Sequence, residues 1–254
     1  MDRDFRKGYL EIGFSTEPFD SAPRLLVRST AVFLANLPFL AGITLLVVLP
    51  AKLAIQFACY GMDVPTDGTL SYFVMSSSDL LLEALLAPAI VYALVAKFRT
   101  GRLAPLGETL RWGRRQWLKT LWNEFRAEVT VGLYTLLLLV PGVICYVKLI
   151  FTETIVAIEG DLTQEVLGRS RRLTEGHRWR ILGVVLPLGV LNLGAGFLVL
   201  NALRGATHSR LEMAAAETAL TLIGLWGTVA ALLMYLGIVG GTENKENGKK
   251  WKSR

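Results

Sequence analysis

Apolar residues occur along this chain in five long runs separated by shorter polar segments. The runs cover about residues 30–57, 80–96, 129–158, 181–203 and 213–239. Within each run the apolar positions are nearly continuous and lack the period of an amphipathic helix, which is typical of helices that are apolar on all sides and lie in lipid. Because a membrane-spanning helix needs about 20 mostly apolar residues, the pattern predicts an all-α integral membrane protein.

The third run, residues 129–158, is too long for a single crossing. A helix of that length would extend ~45 Å, whereas the hydrocarbon core of a bilayer is ~30 Å thick. Pro141-Gly142 lies inside this run; proline lacks a backbone donor and glycine accepts turn conformations. We therefore predict a turn there and a six-helix membrane domain over residues 29–240. Its spans are expected at about 30–57, 80–96, 118–140, 143–158, 181–203 and 213–239.

The positions of the basic residues give the expected orientation. Of the 27 Lys and Arg residues, 23 lie in segments 1–28, 97–127, 159–181 and 241–254. Cytoplasmic loops are the ones enriched in Lys and Arg, and only an even number of spans with both termini inside puts all four segments on that side. The chain is thus predicted to lie in a bacterial cytoplasmic (inner) membrane, with a cytoplasmic N-terminal segment and a basic cytoplasmic tail. No cleavable signal peptide is expected, because residues 1–28 are polar.

Composition changes this picture little. The chain is 52% hydrophobic and 19% charged, with a net charge of +6. Its basic residues flank apolar runs, so we expect anionic lipid headgroups on the cytoplasmic face as partners and no nucleic acid. The two cysteines, Cys59 and Cys145, form no CxxC motif, so neither a disulfide framework nor a cofactor is expected.

Two of the cytoplasmic segments have the pattern of interfacial amphipathic helices. In segment 105–125, apolar residues recur at four- and seven-residue spacing between basic ones, and tryptophans suit the headgroup zone. In segment 162–175, Asp161 with Gln164 resembles a capping box and Gly176 is suited to end the helix. These segments either bind headgroups or a partner, or serve as ordinary anchors at the inner face.

No catalytic or metal-binding motif is evident. His177 and His208 lie in predicted loops on opposite sides of the membrane, without Cys, Asp or Glu at metal-ligand spacing. Glu159, Asp161 and His177 are a sparse set for a membrane enzyme acting on lipid phosphates. The sequence therefore favours a non-enzymatic protein.

Ionisable and polar residues inside the predicted spans are the candidate functional residues, because such groups are costly in lipid and need a partner. They are Lys52, Glu83, Lys148, Glu153 and Asn192. The simplest interpretation of Lys52 and Glu83 is an ion pair between spans one and two. Lys148, Glu153 and Asn192 either pair structurally or line a path for a solute or proton.

The stretch from Leu136 to Trp179 contains LLLLVPGVICYVKLIFTETIVAIEG followed by LTQEVLGRSRRLTEGHRW. It resembles the bacterial membrane-domain family associated with glycerophosphoryl diester phosphodiesterases, and related six-helix families of unknown function. Besides Lys148, the matching residues are Pro141, Gly142, Glu159, Gly160, Ser170, Arg172, Gly176 and Trp179. The resemblance implies a six-helix membrane domain. It implies no activity, because in such proteins the soluble phosphodiesterase barrel follows the membrane domain and its catalytic residues have no counterpart here.

Two functions remain open from the sequence. One is a non-catalytic accessory or scaffold protein for a membrane partner or lipid process, possessing either a membrane-protein partner or a second copy of itself. The other is a transporter or flippase-like protein for a small solute or lipid. The first follows from the missing catalytic motifs, and the second from the ionisable residues inside the spans.

Overall fold

The computed structural model describes residues 21–62, 69–160, 165–203 and 210–252. Over these ranges the chain is helical and contains no strand, which confirms the all-α prediction for this part of the molecule. The helices are α1 Ala22–Ala35, α2 Leu37–Gly61, α3 Thr69–Thr100, α4 Leu106–Leu137, α5 Leu139–Leu149, α6 Thr152–Glu159, α7 Val166–Thr174, α8 Arg178–Leu203 and α9 Arg210–Lys252.

Five stretches of the described helices are long and apolar enough to cross a membrane. They are Leu37–Cys59, Phe73–Thr100, Leu139–Glu159, Arg178–Val199 and Leu211–Gly240. The chain is thus built as a multi-pass membrane protein. Helix α4, which contains the predicted span 118–140, is not among them, and the count of six spans stays a prediction.

The first predicted span, residues 30–57, is divided by Asn36. Helix α1 ends before this residue and α2 begins after it. The Asn36 side chain donates to the carbonyl oxygen of Val32 at 2.6 Å and accepts from Nζ of Lys97 on α3, also at 2.6 Å. Pro38 lies in the first turn of α2, where a missing N–H costs nothing.

The chain reverses direction at Leu138, three residues before the predicted turn at Pro141-Gly142. Leu138 is extended (φ −161°, ψ 141°) and separates α4 from α5. Contacts join the two sides of this reversal: a Cβ on Gly142 would overlap Thr135, and farther from Leu138 Nε1 of Trp112 donates to the carbonyl oxygen of Ala157 at 3.2 Å. Helix α4 is therefore antiparallel to α5 and α6.

Several predicted boundaries change in the structure. Residues 106–125 of the predicted interfacial segment 105–125 and residues 118–137 of the predicted span 118–140 belong to one continuous helix, α4, and the rest of that span lies beyond the reversal at Leu138. The predicted span 143–158 is broken at Ile150-Phe151, between α5 and α6. The span predicted at 80–96 lies in a much longer helix, and α9 continues beyond residue 239. Segment 162–175 contains α7, while the capping box Asp161–Gln164 lies outside the described residues.

The core of the bundle is the second half of α3. Residues 86–95 of α3 are buried, and so are residues 229–236 of α9. Helices α2, α4, α6 and α9 contact α3. Helix α8 is peripheral. Only 11% of the most apolar part of its stretch Arg178–Val199 is buried inside the protein, so most of the surface of this helix is left for lipid or a partner.

Candidate functional site

A cavity of about 640 Å³ lies between α3, α4, α5, α6, α8 and α9. Most of its lining is apolar, but it contains four carboxyl groups. Its ionisable and amide-bearing lining residues are Glu83, Glu124, Glu128, Tyr146, Glu153 and Asn192. No Lys, Arg or His is found among the described residues that line it. The cavity is therefore acidic without an internal counter-ion.

The α4–α6 hairpin brings two of these carboxyl groups into contact. Glu124 on α4 and Glu153 on α6 are nearly equidistant from Leu138, and their side chains are within hydrogen-bonding distance of each other. Glu124 is only 6% exposed. Among the described residues, neither of its carboxylate oxygens has an N–H or O–H donor. Two carboxylates in contact repel each other, so the pair needs a shared proton or a cation.

The other two carboxyl groups lie on more open parts of the cavity wall. Glu83 on α3 and Glu128 on α4 are exposed to the space between the helices. Asn192 contributes a neutral amide from α8, and its Nδ2 would lie 3.6 Å from a Cβ on Gly224 of α9. Polar groups from five helices thus surround one apolar space.

The structure brings three of the five predicted intramembrane residues together. Glu83, Glu153 and Asn192 all line the cavity. Lys148 is half-buried on α5 and is not part of the lining. A path that uses Lys148 together with Glu153 is therefore not what the geometry provides.

The expected ion pair between Lys52 and Glu83 is wrong. Lys52 is fully buried, and its Nζ lies 2.5 Å from Oδ1 of Asp79 and 3.4 Å from Oε2 of Glu217. Ser78 also accepts from Nζ at 3.1 Å. Asp79 lies one helical turn before Glu83 on α3. Lys52 therefore pairs with Asp79, and Glu83 lines the cavity instead.

Sequence reasoning missed Glu124 and Glu128. Glu124 lies in segment 105–125, whose pattern predicts an interfacial helix in which charged residues are common, and Glu128 lies only in the predicted span 118–140. Their spacing of four residues puts both carboxyl groups on one face of a helix. That spacing, within a predicted span whose basic residues are Lys119 and Arg126, was the signal available in the sequence.

The residues that carried the family resemblance have mostly structural roles. Oγ of Ser170 on α7 donates to the carbonyl oxygen of Lys148 at 2.9 Å and accepts from the backbone N–H of Phe151 at 3.3 Å. One hydroxyl thereby holds both sides of the break between α5 and α6. Pro141 lies in the first turn of α5, and Gly142 allows that turn to approach α4.

A second set of these residues fixes the end of α6. Oε1 of Glu159 accepts from the hydroxyl of Tyr235 on α9 at 2.6 Å and from Nε of Arg169 at 3.3 Å. Gly160 follows at φ 54° and Gly176 has φ 79°, in the region that favours glycine. Arg172 and Trp179 are exposed. Glu159 is thus engaged in structure, and Asp161 of the sparse enzymatic set lies outside the described residues.

Among the described residues, no three His, Cys, Asp or Glu side chains are grouped so that they could hold a metal ion. Apart from the Glu124–Glu153 pair, the carboxyl groups of the cavity are therefore spread around its wall.

Comparison with known proteins gives one family and no relative of known activity. A family described as "Domain of unknown function (DUF7847)" matches residues 21–241. No curated protein and no solved structure matches the chain.

Proposed function

Since this chain belongs to the DUF7847 family, a domain of unknown function, its activity has to be inferred from the site, and we propose that it binds an organic cation in the acidic cavity and carries it across the membrane. One observation carries the proposal. Four carboxyl groups face a single cavity that has no basic residue among its described lining. A cation would supply the missing positive charge.

The depth of these groups supports a functional role. Glu83, Glu153 and Asn192 are each more than one helical turn from either end of a candidate span. Ionisable groups at such depth are costly and usually mark ligand or ion pathways. Lys52 shows how the chain neutralises an intramembrane charge for structure alone, with acids directly around it. The cavity acids lack such an arrangement.

The size and chemistry of the cavity favour an organic cation over a metal ion. A metal needs several oxygen ligands within about 2.6 Å of one point, whereas the described acids are not grouped in that way. A cavity of about 640 Å³ is the size of a small-molecule site. Tyr146 and Trp226 also line it, and aromatic faces attract organic cations.

The proposed topology keeps six spans, with both termini cytoplasmic in a bacterial inner membrane. Residues Leu139–Glu159 form a candidate span, and α4 runs antiparallel beside them. A helix that follows a span along its length crosses the same layer, so α4 is proposed as the sixth crossing. Two of the charged residues that lower its hydropathy, Glu124 and Glu128, line the cavity.

The cytoplasmic face is proposed to contact anionic lipid headgroups. Arg171 and Arg172 on α7 and Arg178 and Arg180 at the start of α8 are exposed, and Trp179 between the latter two is 85% exposed. Basic residues beside an exposed tryptophan suit the headgroup zone. In this orientation α7 lies in the interface.

The accessory-protein hypothesis is the second candidate, and α8 is the observation that favours it. Leu193 and Leu198 of this peripheral helix are at least 70% exposed, so the helix offers an apolar face to lipid, a membrane partner or a second copy. The resemblance to phosphodiesterase-associated membrane domains also stays a prediction, and it would agree with such a partner role.

Uptake of radiolabelled tetraethylammonium into proteoliposomes tests the proposal. We expect uptake by the native chain and its loss in Glu153→Gln and Glu124→Gln. The matched control is Glu108→Gln, which neutralises an exposed acid in the first turn of α4 and should leave uptake unchanged. Equal uptake by all four proteins, or none above empty vesicles, would contradict transport. A folded native chain without uptake that co-purifies with a stoichiometric membrane partner would favour the accessory role.

A further inference from the structure

A row of buried polar side chains on α4 leads from the beginning of the helix to the cavity. Thr109, Gly113, Gln116, Thr120 and Glu124 are spaced three or four residues apart, which puts them on one face. All five are buried. From Thr109 to Glu124 the row is ~22 Å long at the rise of an α-helix. A soluble core helix would use apolar residues at such positions.

Apart from the contact of Glu124 with Glu153, the oxygens of this row have no hydrogen-bond partner within the described residues. They are Oγ1 of Thr109 and Thr120, Oε1 of Gln116 and both carboxylate oxygens of Glu124, all of them buried. Thr154, next to Glu153 on α6, has the same property. Buried polar atoms without a protein partner are usually hydrated.

Seven other threonines in the described helices behave differently. Each donates to the carbonyl oxygen four residues earlier, as hydroxyls in helices commonly do. They are Thr30, Thr44, Thr100, Thr130, Thr135, Thr218 and Thr221. Thr109 and Thr120 are fully buried and yet do not make this bond. Their hydroxyls are therefore available to another partner.

The row lies where α4 meets α3. A Cβ on Gly113 would lie 2.6 Å from the carbonyl oxygen of Leu85 and 2.9 Å from Cβ of Ala89. Nε1 of Trp117 donates to the carbonyl oxygen of Leu81 at 2.9 Å. The row passes this close contact of α4 with α3 at Gly113 and reaches the cavity at Glu124.

We propose that this row is a hydrated proton path from the proposed cytoplasmic end of α4 to the Glu124–Glu153 pair. The inference rests on the proposed function for its purpose, which is to exchange a proton for the bound cation. Two carboxyl groups in contact hold either a cation or a proton. When the cation leaves, a proton arriving along α4 restores neutrality.

The groups around the pair agree with this exchange. Glu83 faces the cavity from α3, Glu128 from α4 and Tyr146 from α5, while α8 contributes the neutral Asn192. The described lining from α9 carries no acid or base. Nothing basic among these groups competes for the role of counter-ion, so the charge of the cavity changes only with its cation and its protons.

Each transfer step conserves protons. A hydronium ion at the beginning of α4 gives one proton to the first water of the row. Each water then loses one O–H bond to its neighbour and gains another, and the last forms the O–H bond on Glu124. The displaced cation carries away the positive charge that the proton has brought.

Infrared spectroscopy of the full chain in lipid nanodiscs tests the path. The C=O stretch of a protonated carboxyl group should be present in the native chain and should change in Glu124→Gln and Glu153→Gln. After mixing into D₂O, we expect the double variant Gln116→Leu/Thr120→Val to slow the deuterium shift of this band about tenfold, the effect of one lost hydrogen bond. Thr130→Val, on another face of α4, should exchange at the native rate.

A conservative variant and a titration with an organic cation separate the proton path from the cation-binding function. Thr120→Ser keeps the hydroxyl and should restore native exchange. Absence of the carboxyl band, or equal exchange in the double variant and the native chain, would overturn the proton path. Titration with tetraphenylphosphonium should remove the band by displacing the proton. If it does not, the cation-binding function fails, while the exchange rates still decide the path.

Discussion

Replacing Lys52 by methionine removes a fully buried charge and keeps most of the side-chain volume. Breaking a buried ion pair on one side usually costs about 3–5 kcal/mol because the remaining charge is uncompensated. Here Asp79 is 48% and Glu217 is 27% exposed at the side chain. Solvent access to both acids reduces the loss, and we expect about 2 kcal/mol, which is up to a thirtyfold change in the folded-to-unfolded ratio.

Unfolding of the detergent-solubilised protein, followed by circular dichroism, measures this loss. The double variant Lys52→Met/Glu217→Gln should regain part of the stability, because one uncompensated charge is removed with its partner. Lys148→Met, the same substitution in another predicted span, is the control and should change stability less. A loss below about 0.5 kcal/mol for Lys52→Met, or no recovery in the double variant, would refute a stabilising role of this network.

The remaining predictions concern helix contacts. Gly142→Val should destabilise the protein by about 2 kcal/mol or more, because its side chain would overlap Thr135. In the same unfolding assay, the control Gly132→Val should cost less than half as much, because a Cβ there meets nothing within 4 Å. Equal losses of stability in the two variants would contradict the close contact at Gly142. Tyr235→Phe should lower stability by about 1.5–3 kcal/mol, since it removes the 2.6 Å hydrogen bond to Glu159; an unchanged thermal midpoint would show that this bond contributes nothing.

The helices were predictable from the sequence where contact with lipid requires a nearly continuous run of apolar residues. Five of the predicted spans overlap described helices that are apolar enough to cross a membrane, because a continuous apolar run leaves few alternatives. Boundaries were less predictable. Pro141 suggested a turn, but proline is tolerated in the first turn of a helix. The chain reverses instead at Leu138, and leucine is not a residue type that favours turns.

The candidate site was predictable only in part. Glu83, Glu153 and Asn192 could be selected because each interrupts an apolar run. Glu124 could not, because its neighbours Asn123 and Arg126 make the whole segment polar and hide which face is buried. Partner choice depends on helix rotation as well as depth, which is why Lys52 pairs with Asp79 and not with Glu83.

Equilibrium binding of two ions of matched shape and opposite charge tests the central claim most directly. Tetraphenylphosphonium and tetraphenylborate differ chiefly in the sign of their charge, and each is titrated into the native chain in nanodiscs, with empty nanodiscs as the reference. An acidic cavity should bind the phosphonium saturably, lose it in Glu153→Gln and show no saturable binding of the borate. Equal binding of both ions, or phosphonium binding unaffected by Glu153→Gln, would contradict a cation site between these helices.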